Sequence, residues 1–339
     1  MKAAVLHEFG SPLVIEEVER PQIRSHEVLL EVEACGVCHS DAHVADGDWK
    51  QFAGIVKKPL ILGHEIAGRV AEVGSAVEGL RIGDRAGVPW IYSTCGECEF
   101  CREGNENLCV RQQITGVTVD GGYAEFFKAP ASHIISIPDA LSAVGAAPLF
   151  CAGVTVYRAL SQIALARNQR LAVFGVGGLG HMAVQIGRAL GADVIAVDVV
   201  DEKLELAKSL GACATLNSRA VDVIKALRAS GGVHVAIVTS AAKAAYDTAF
   251  YCLRPTGTLL AVGLPAENVC FPPILMAGRE IRILASAVGT REDVRKTLAM
   301  AAAGLLRCEV ITRPLDDVNG VLDDLRAGRV RGRVVLSFH

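Results

Sequence analysis

Near residue 171 the texture of the chain changes. Short β-branched runs then recur at intervals of roughly twenty residues: "LAVF" at 171, "DVIAV" at 193, "ATL" at 214, "VAIV" at 235, "TLLAV" at 258 and "IRILAS" at 281. Helical patterns such as "DEKLELAKSLGA" fill the gaps. Strand and helix alternating at that spacing predict an α/β fold with a doubly wound parallel sheet.

The first of these strands runs into "GVGGLG" and then an apolar helix. Gly175, Gly177 and Gly180, with Gly178 between them, form a Gly-x-Gly-x-x-Gly turn, and Asp198 follows eighteen residues after the last glycine. A glycine triplet alone is weak evidence. A strand before it, a helix after it and an acid at the next strand end make it a dinucleotide fingerprint. The glycines permit a tight turn and close approach to a pyrophosphate, whose charge suits the helix N-terminus. Asp198 can accept from both adenosine ribose hydroxyls and would repel a 2′-phosphate, so NAD is expected over NADP. The plainer role for Asp198 is that of a strand-end turn residue.

The chain has 339 residues, enough for two domains, and half of them are apolar, so large cores are within reach. Its net charge of -3 comes from interspersed charges of both signs, without the basic stripe that nucleic-acid binding needs. The start, "MKAAVLHEFG", meets Glu8 before any long apolar run, which argues against a secretory signal. Later apolar stretches are glycine-rich and too short to span a membrane. A cytoplasmic protein is the expectation. Thiols stay reduced there, so the eleven cysteines, an odd number, point to metal or catalysis rather than to a disulfide framework.

Four of them lie in "CGECEFCREGNENLC": Cys95, Cys98, Cys101 and Cys109, with gaps of two, two and seven residues. Short Cys-x-x-Cys turns aim two sulfurs at one point, and zinc takes four thiolates tetrahedrally. A ferredoxin-type cluster run wants three residues before its last cysteine and a proline after it, whereas Val110 follows here. A thioredoxin-like pair would leave two cysteines unexplained. Four thiolates fill a coordination sphere, so this loop is expected to be structural, with the chemistry elsewhere.

Upstream, "ACGVCHSDAH" and "GHEIAGRVAEVGSAV" offer Cys35, Cys38, His39, His43, His64 and Glu65, and downstream "PLFCAGVTVYRAL" offers Cys151 ahead of a helix. Taken singly, a cysteine is more often a small buried apolar residue than a ligand. Cys35 and Cys38 together could also form a second zinc knuckle. Taken in order, these segments, with "GVCHSDAHVADGDW", "GVPWIYSTCGECEFC" and "DGGYAEF", resemble the zinc-dependent medium-chain alcohol dehydrogenases, especially the microbial type acting on small primary alcohols. The resemblance runs from the first strand to the last residues.

What the resemblance implies is detailed. The fold would be a Rossmann domain at 151–287 and a mainly β, GroES-like catalytic domain at 1–150, with a structural-zinc lobe at 90–112. Residues 288–339 would return to the catalytic domain. Cys38, His64 and Cys151 would hold a catalytic zinc, with water or alcohol as fourth ligand; three ligands and one open position is also what such an ion needs. Glu65 would exchange onto the metal when water leaves, and Asp41 would steady His64. Cys35 is expected to be plain packing. The loop cysteines would hold a second zinc. For NAD, the implied contacts are His39 at the pyrophosphate, Thr155 at the nicotinamide, Lys203 near the adenosine ribose and Arg333 at the phosphates, although Lys203 and Arg333 could equally be solvated charges. Ser40, the nicotinamide ribose and then His43 would carry the proton out, and Trp49 and Trp90 would wall the substrate pocket. The expected reaction is reversible hydride transfer from an ethanol-like alcohol to NAD, giving aldehyde and NADH, in a homotetramer with no membrane or nucleic-acid partner.

Other readings compete. A polyol or amino-alcohol dehydrogenase of the same superfamily often has Glu as its third zinc ligand, which makes Cys151 the discriminating position. A zinc-free dinucleotide-binding protein would lack the ligands seen here, and a zinc-ribbon interaction module would lack the cofactor fingerprint. Ala285, where similar enzymes often place glycine, leaves the cofactor affinity open.

Overall fold

The computed structural model describes residues 1–338 except 51, 52 and 266. The chain forms two compact units: residues 1–154 together with those from 290 onward, and residues 155–289. The first boundary falls four residues later than expected from sequence and the second two later. The reason lies in the start of helix Ala152–Ser161. Gly153 sits so close to Leu149 and Thr297, both in the first unit, that a Cβ there would stand 2.9 Å from the Thr297 methyl.

The second unit is the alternating half. Its six strands, all parallel, run in the order Ala214–Asn217, Asp193–Asp198, Arg170–Phe174, Val233–Val238, Leu253–Ala261 and Arg282–Ala285. In chain order that is 3-2-1-4-5-6, the doubly wound arrangement, with the order reversing beside the first strand. The central strands are buried on both faces, as near-continuous apolar runs require. Phe174, Tyr246 and Phe250 are among the large side chains packed between sheet and helices.

The first unit is mainly β. Its longest strand, Glu27–Val37, pairs antiparallel with Glu65–Val73 and, on its other side, with Arg333–Ser337 from the end of the chain. The chain's last strand therefore lies inside the sheet built by its first third. In this register Gly36 stands opposite Glu65, and a Cβ on Gly36 would overlap the Glu65 carboxylate. Glycine there makes room for a buried acid. The strand ends at Val37 and helix His39–Asp46 begins two residues later, with Cys38 between them, closing at Gly47, whose φ of 72° suits glycine. Among the described residues no single helix is long and apolar enough to cross a membrane.

Candidate active site

Cys38 occupies the junction of that strand and helix. His64 ends the tight turn at Gly63, and Cys151 lies just before helix Ala152–Ser161. The ligating atoms of Cys38, His64, Glu65 and Cys151 lie within 4.8 Å of one another, all in the first unit, and the Cys38 and Cys151 sulfurs are 4.0 Å apart. Sulfurs on a tetrahedral zinc with bonds of about 2.3 Å stand about 3.8 Å apart. The Cys38 thiol titrates well below its usual range because Cys151 donates to it, and Cys151 correspondingly titrates high. One proton shared between two sulfurs is the arrangement a metal ion replaces. His64 is 1 % exposed, and among the described residues neither its Nε2 nor Glu65 Oε2 has a hydrogen-bond partner. Buried polar atoms are almost always paired, so these two orphans beside two sulfurs fit a metal of zinc's ligand preference.

Behind the ligands stand buried charges. Asp41 Oδ1 accepts from His64 Nδ1 at 2.9 Å, while its Oδ2 accepts from the Cys38 backbone N–H and the Tyr123 hydroxyl, both at 2.8 Å. The bond to Asp41 leaves the Nε2 lone pair of His64 facing the sulfurs. Glu65 Oε1 is paired with the Arg333 guanidinium. Burial pushes the Glu65 carboxyl up to about 7 against the pull of Arg333. Arg333 is itself 4 % exposed, so the solvated-charge reading does not apply to it. Its Nε has no partner among the described residues. Lys203 is half-buried on helix Asp201–Ser209.

Around this centre Ser40 Oγ lies 3.7 Å from the Cys38 sulfur. His43, three residues further along the helix and so on the same face, bonds Asp48 at 3.1 Å and stacks on Trp49. Trp90 meets the His64 ring edge-on at 4.8 Å and Trp49 at 6.4 Å. Trp90 therefore stands beside His64, Trp49 stands beside Trp90 and His43, and both also pack against the apolar core of the first unit. His39 Nε2 contacts the Leu325 carbonyl at 3.1 Å. Cys35 is buried in the strand, and burial raises its thiol well above the usual range.

The four-cysteine lobe is a separate cluster. Its sulfurs also lie within 4.8 Å of one another, with Cys95 3.9 Å from Cys101 and 3.5 Å from Cys109. Backbone N–H groups point at them: Cys98 N to Cys95 Sγ at 3.3 Å and Cys95 N to Cys109 Sγ at 3.4 Å. Backbone N–H bonds favour the thiolate, and those of Glu97 first and Cys98 second bring Cys95 down to about 6. Sequence reasoning missed a clamp on this lobe. Glu106, between Cys101 and Cys109, takes a bidentate pair and a backbone N–H from Arg291.

In the second unit Gly175 adopts φ 91° and a Cβ on Gly180 would overlap the Gly175 carbonyl, whereas a Cβ on Gly177 would meet only open space. The turn therefore keeps an uncovered face at Gly177, as a pyrophosphate cradle requires; Gly178 follows it before the helix at Gly180. Asp198 accepts from Val176, Val199 and Val200 N–H at 2.6, 2.7 and 3.1 Å, tying the second strand's end to the glycine turn. It thus has the strand-end role, and any ribose hydroxyl must share it with these amides. Thr155 Oγ1 is buried without a partner among the described residues. Ala285 is exposed at the end of the edge strand.

A sulfur-and-imidazole metal centre and a glycine-turn dinucleotide sheet in one chain define a metal-dependent oxidoreductase. Residues 24–139 match the family described as alcohol dehydrogenase GroES-like domain, and residues 178–303 match that of zinc-binding dehydrogenase. Two alcohol dehydrogenases are similar over nearly the full length of both chains: one of Geobacillus stearothermophilus, 47 % identical over 99 % of each, and one of Moraxella sp. (strain TAE123), 42 % identical over 100 % of this chain and 99 % of the relative. The crystal structure of the alcohol dehydrogenase of Aeropyrum pernix superposes with a TM-score of 0.93 at 37 % identity, covering 99 % of this chain and 100 % of that one. The chain belongs to the zinc-dependent medium-chain alcohol dehydrogenases.

Proposed function

We propose that the enzyme interconverts small, ethanol-like primary alcohols and their aldehydes with NAD as hydride acceptor, and that each chain holds two zinc ions. The convergence of Cys38, His64 and Cys151, with His64 Nε2 orphaned and aimed at the sulfurs, carries this reading. Cys151 in third place speaks for a simple alcohol over a polyol. Zinc bound there supplies Lewis acidity that brings a hydroxyl pKa toward neutrality, and NAD supplies the two-electron acceptor.

The chain's own residues do the rest. Trp90, edge-on to His64, and Trp49, packed on Trp90, restrict the substrate to a short chain. Ser40, beside the Cys38 sulfur, passes the alcohol's proton to the nicotinamide ribose, and His43, on the same helical face as Ser40 and partly exposed, delivers it to solvent. Glu65 keeps one free carboxylate oxygen toward the ligands, and Arg333 holds the other. In the second unit Gly175, Gly177, Gly178 and Gly180 receive the pyrophosphate; in the first, His39 and Arg333 are proposed as phosphate contacts. Thr155 meets the nicotinamide, and Lys203 and Asp198 the adenosine ribose. The Asp198 carboxylate disfavours a 2′-phosphate. A cytoplasmic homotetramer is the assembly and location proposed.

The test is NADH formation from NAD and ethanol by zinc-replete protein, with NADP, a polyol and a chelator as comparisons. Rapid NAD-linked ethanol oxidation abolished by the chelator supports the reading. Oxidation of the polyol but not ethanol, or preference for NADP, would overturn the corresponding part.

A further inference from the structure

Tyr123 has no assigned role, yet it is the largest fully buried side chain beside the metal ligands, with its ring 0 % exposed. Its hydroxyl donates to Asp41 Oδ2 at 2.8 Å across 82 residues of sequence. Asp41 is 2 % exposed, and three donors compensate its buried carboxylate: Tyr123 O–H and Cys38 N–H on one oxygen, His64 Nδ1–H on the other. An ionised carboxylate is tolerated inside a protein only when such donors replace the lost water. The two donors on Oδ2 fix the plane of the carboxylate, and that plane sets the direction in which Oδ1 holds the His64 ring.

The surrounding backbone is shaped around the tyrosine. Gly63 adopts φ 94°, and a Cβ on it would overlap the Tyr123 ring while standing 2.9 Å from the Cys35 sulfur. Gly122 lies against Ile66 and Cys35 in the same way, a Cβ there standing 3.0 Å from the Cys35 sulfur. Thus the glycine before His64 leaves the space that the ring occupies, and the one before Tyr123 lets the backbone close against Ile66 and Cys35. Burial and the neighbouring Asp41 charge hold the phenol well above its usual range, so it remains a donor at any working pH.

We infer that Tyr123 is a positioning residue of the catalytic metal centre, its hydroxyl locking Asp41 so that His64 presents Nε2 to the ion. The inference rests on the metal-centre reading proposed above. Outer hydrogen-bond partners of metal-binding histidines are worth 10- to 100-fold in metal affinity, and this one acts a step further out, so about 10-fold is expected.

The test is the rate at which the zinc-loaded enzyme releases each zinc to a chromogenic chelator, for wild type, Tyr123→Phe, Asp41→Ala and the double variant. Tyr123→Phe keeps the ring and removes only the hydroxyl. The expected result is about 10-fold faster release of the labile zinc, unchanged release of the second zinc, and a double variant indistinguishable from Asp41→Ala, since the hydroxyl acts only through Asp41. Wild-type release rates in Tyr123→Phe, equal acceleration of both zincs, or a further acceleration in the Asp41→Ala background would overturn the inference. A wild-type enzyme with no labile zinc would overturn the metal-centre reading itself. Should Tyr123→Phe not fold, Asp41→Asn gives the second measurement: its amide cannot accept from His64 Nδ1–H and the Tyr123 hydroxyl with both oxygens, so labile-zinc release as slow as wild type would equally overturn the inference.

Discussion

The first unit contains two sulfur-rich centres of similar spacing and opposite construction. In the lobe, four cysteines come from fifteen consecutive positions, and backbone N–H groups support their sulfurs. At the other centre the clustered side chains come from positions 38, 64 and 151, and buried ionisable side chains back them: Asp41 behind His64, and the Glu65–Arg333 pair alongside. A ligand set supplied by one loop closes that loop and leaves no place for a substrate. A set gathered from three segments must be held by the fold, and the charges around it are what tune a reacting group. The side chains of both centres suit zinc's ligand preference, and it is their surroundings that differ.

Breaking each centre in turn should show the difference. Cys151→Ala should reduce kcat/KM by more than about 100-fold, beyond the range of outer partners, with one zinc retained and the unfolding midpoint nearly unchanged. A large fall in thermal stability with residual turnover would reverse the assignment. Cys101→Ala should do the opposite, costing about 3 kcal/mol or more, about 6–12 °C in the unfolding midpoint, while folded molecules keep their turnover; scanning calorimetry alongside specific activity checks both.

Acid should weaken the region around the lobe first. His133, 3 % exposed and bonded to Thr94 and Ser132, is held down to about 4 by burial and by Arg291. Its folded pKa lies below the unfolded value of about 6.5, so the unfolded chain binds more protons between them. Stability is then complete above about pH 6.5 and declines by about 3 kcal/mol as pH falls toward 4. Glu106 extends the trend. Burial raises its pKa, but Arg291 outweighs that and leaves it below the usual carboxylate range, so its contribution is present above about pH 4.3 and lost below it. Urea unfolding across this range should show the slope, and His133→Gln should flatten its upper part; an unchanged slope in that variant would refute the assignment.

Arg291→Ala, which leaves Glu106 at 12 % exposure without its bidentate partner, should cost about 2 kcal/mol. Arg295→Ala, from an exposed pair with Glu292, should cost less than about 0.5 kcal/mol. Equal losses in the two would show that the clamp adds nothing to the lobe.

Much of this was legible in the chain because the features are local. Six β-branched runs spaced by helical patterns foretold the parallel sheet, and a glycine turn followed by Asp198 marked where its order reverses. The lobe's spacing and the His64-Glu65 pair stood out by residue type. Contacts between distant positions were not legible. Arg333 and Glu65 are 268 residues apart and Tyr123 and Asp41 are 82 apart, and only the antiparallel pairing of the last strand with Glu27–Val37 brings the first pair together. The "DGGYAEF" segment was visible as a family likeness, but what its tyrosine touches depends on the φ of Gly63. Asp198 shows the reverse limit: its place after the glycine turn was readable from spacing, whereas its three backbone bonds required the folded turn.

The measurement that bears most directly on the two-centre account is a time course of zinc release to a chelator, with ethanol oxidation assayed in the same samples. The account predicts that one zinc per chain leaves first and that turnover falls in proportion to it, while the second stays until the protein unfolds. Full turnover after the first zinc has gone, or loss of turnover only with the second, would contradict it.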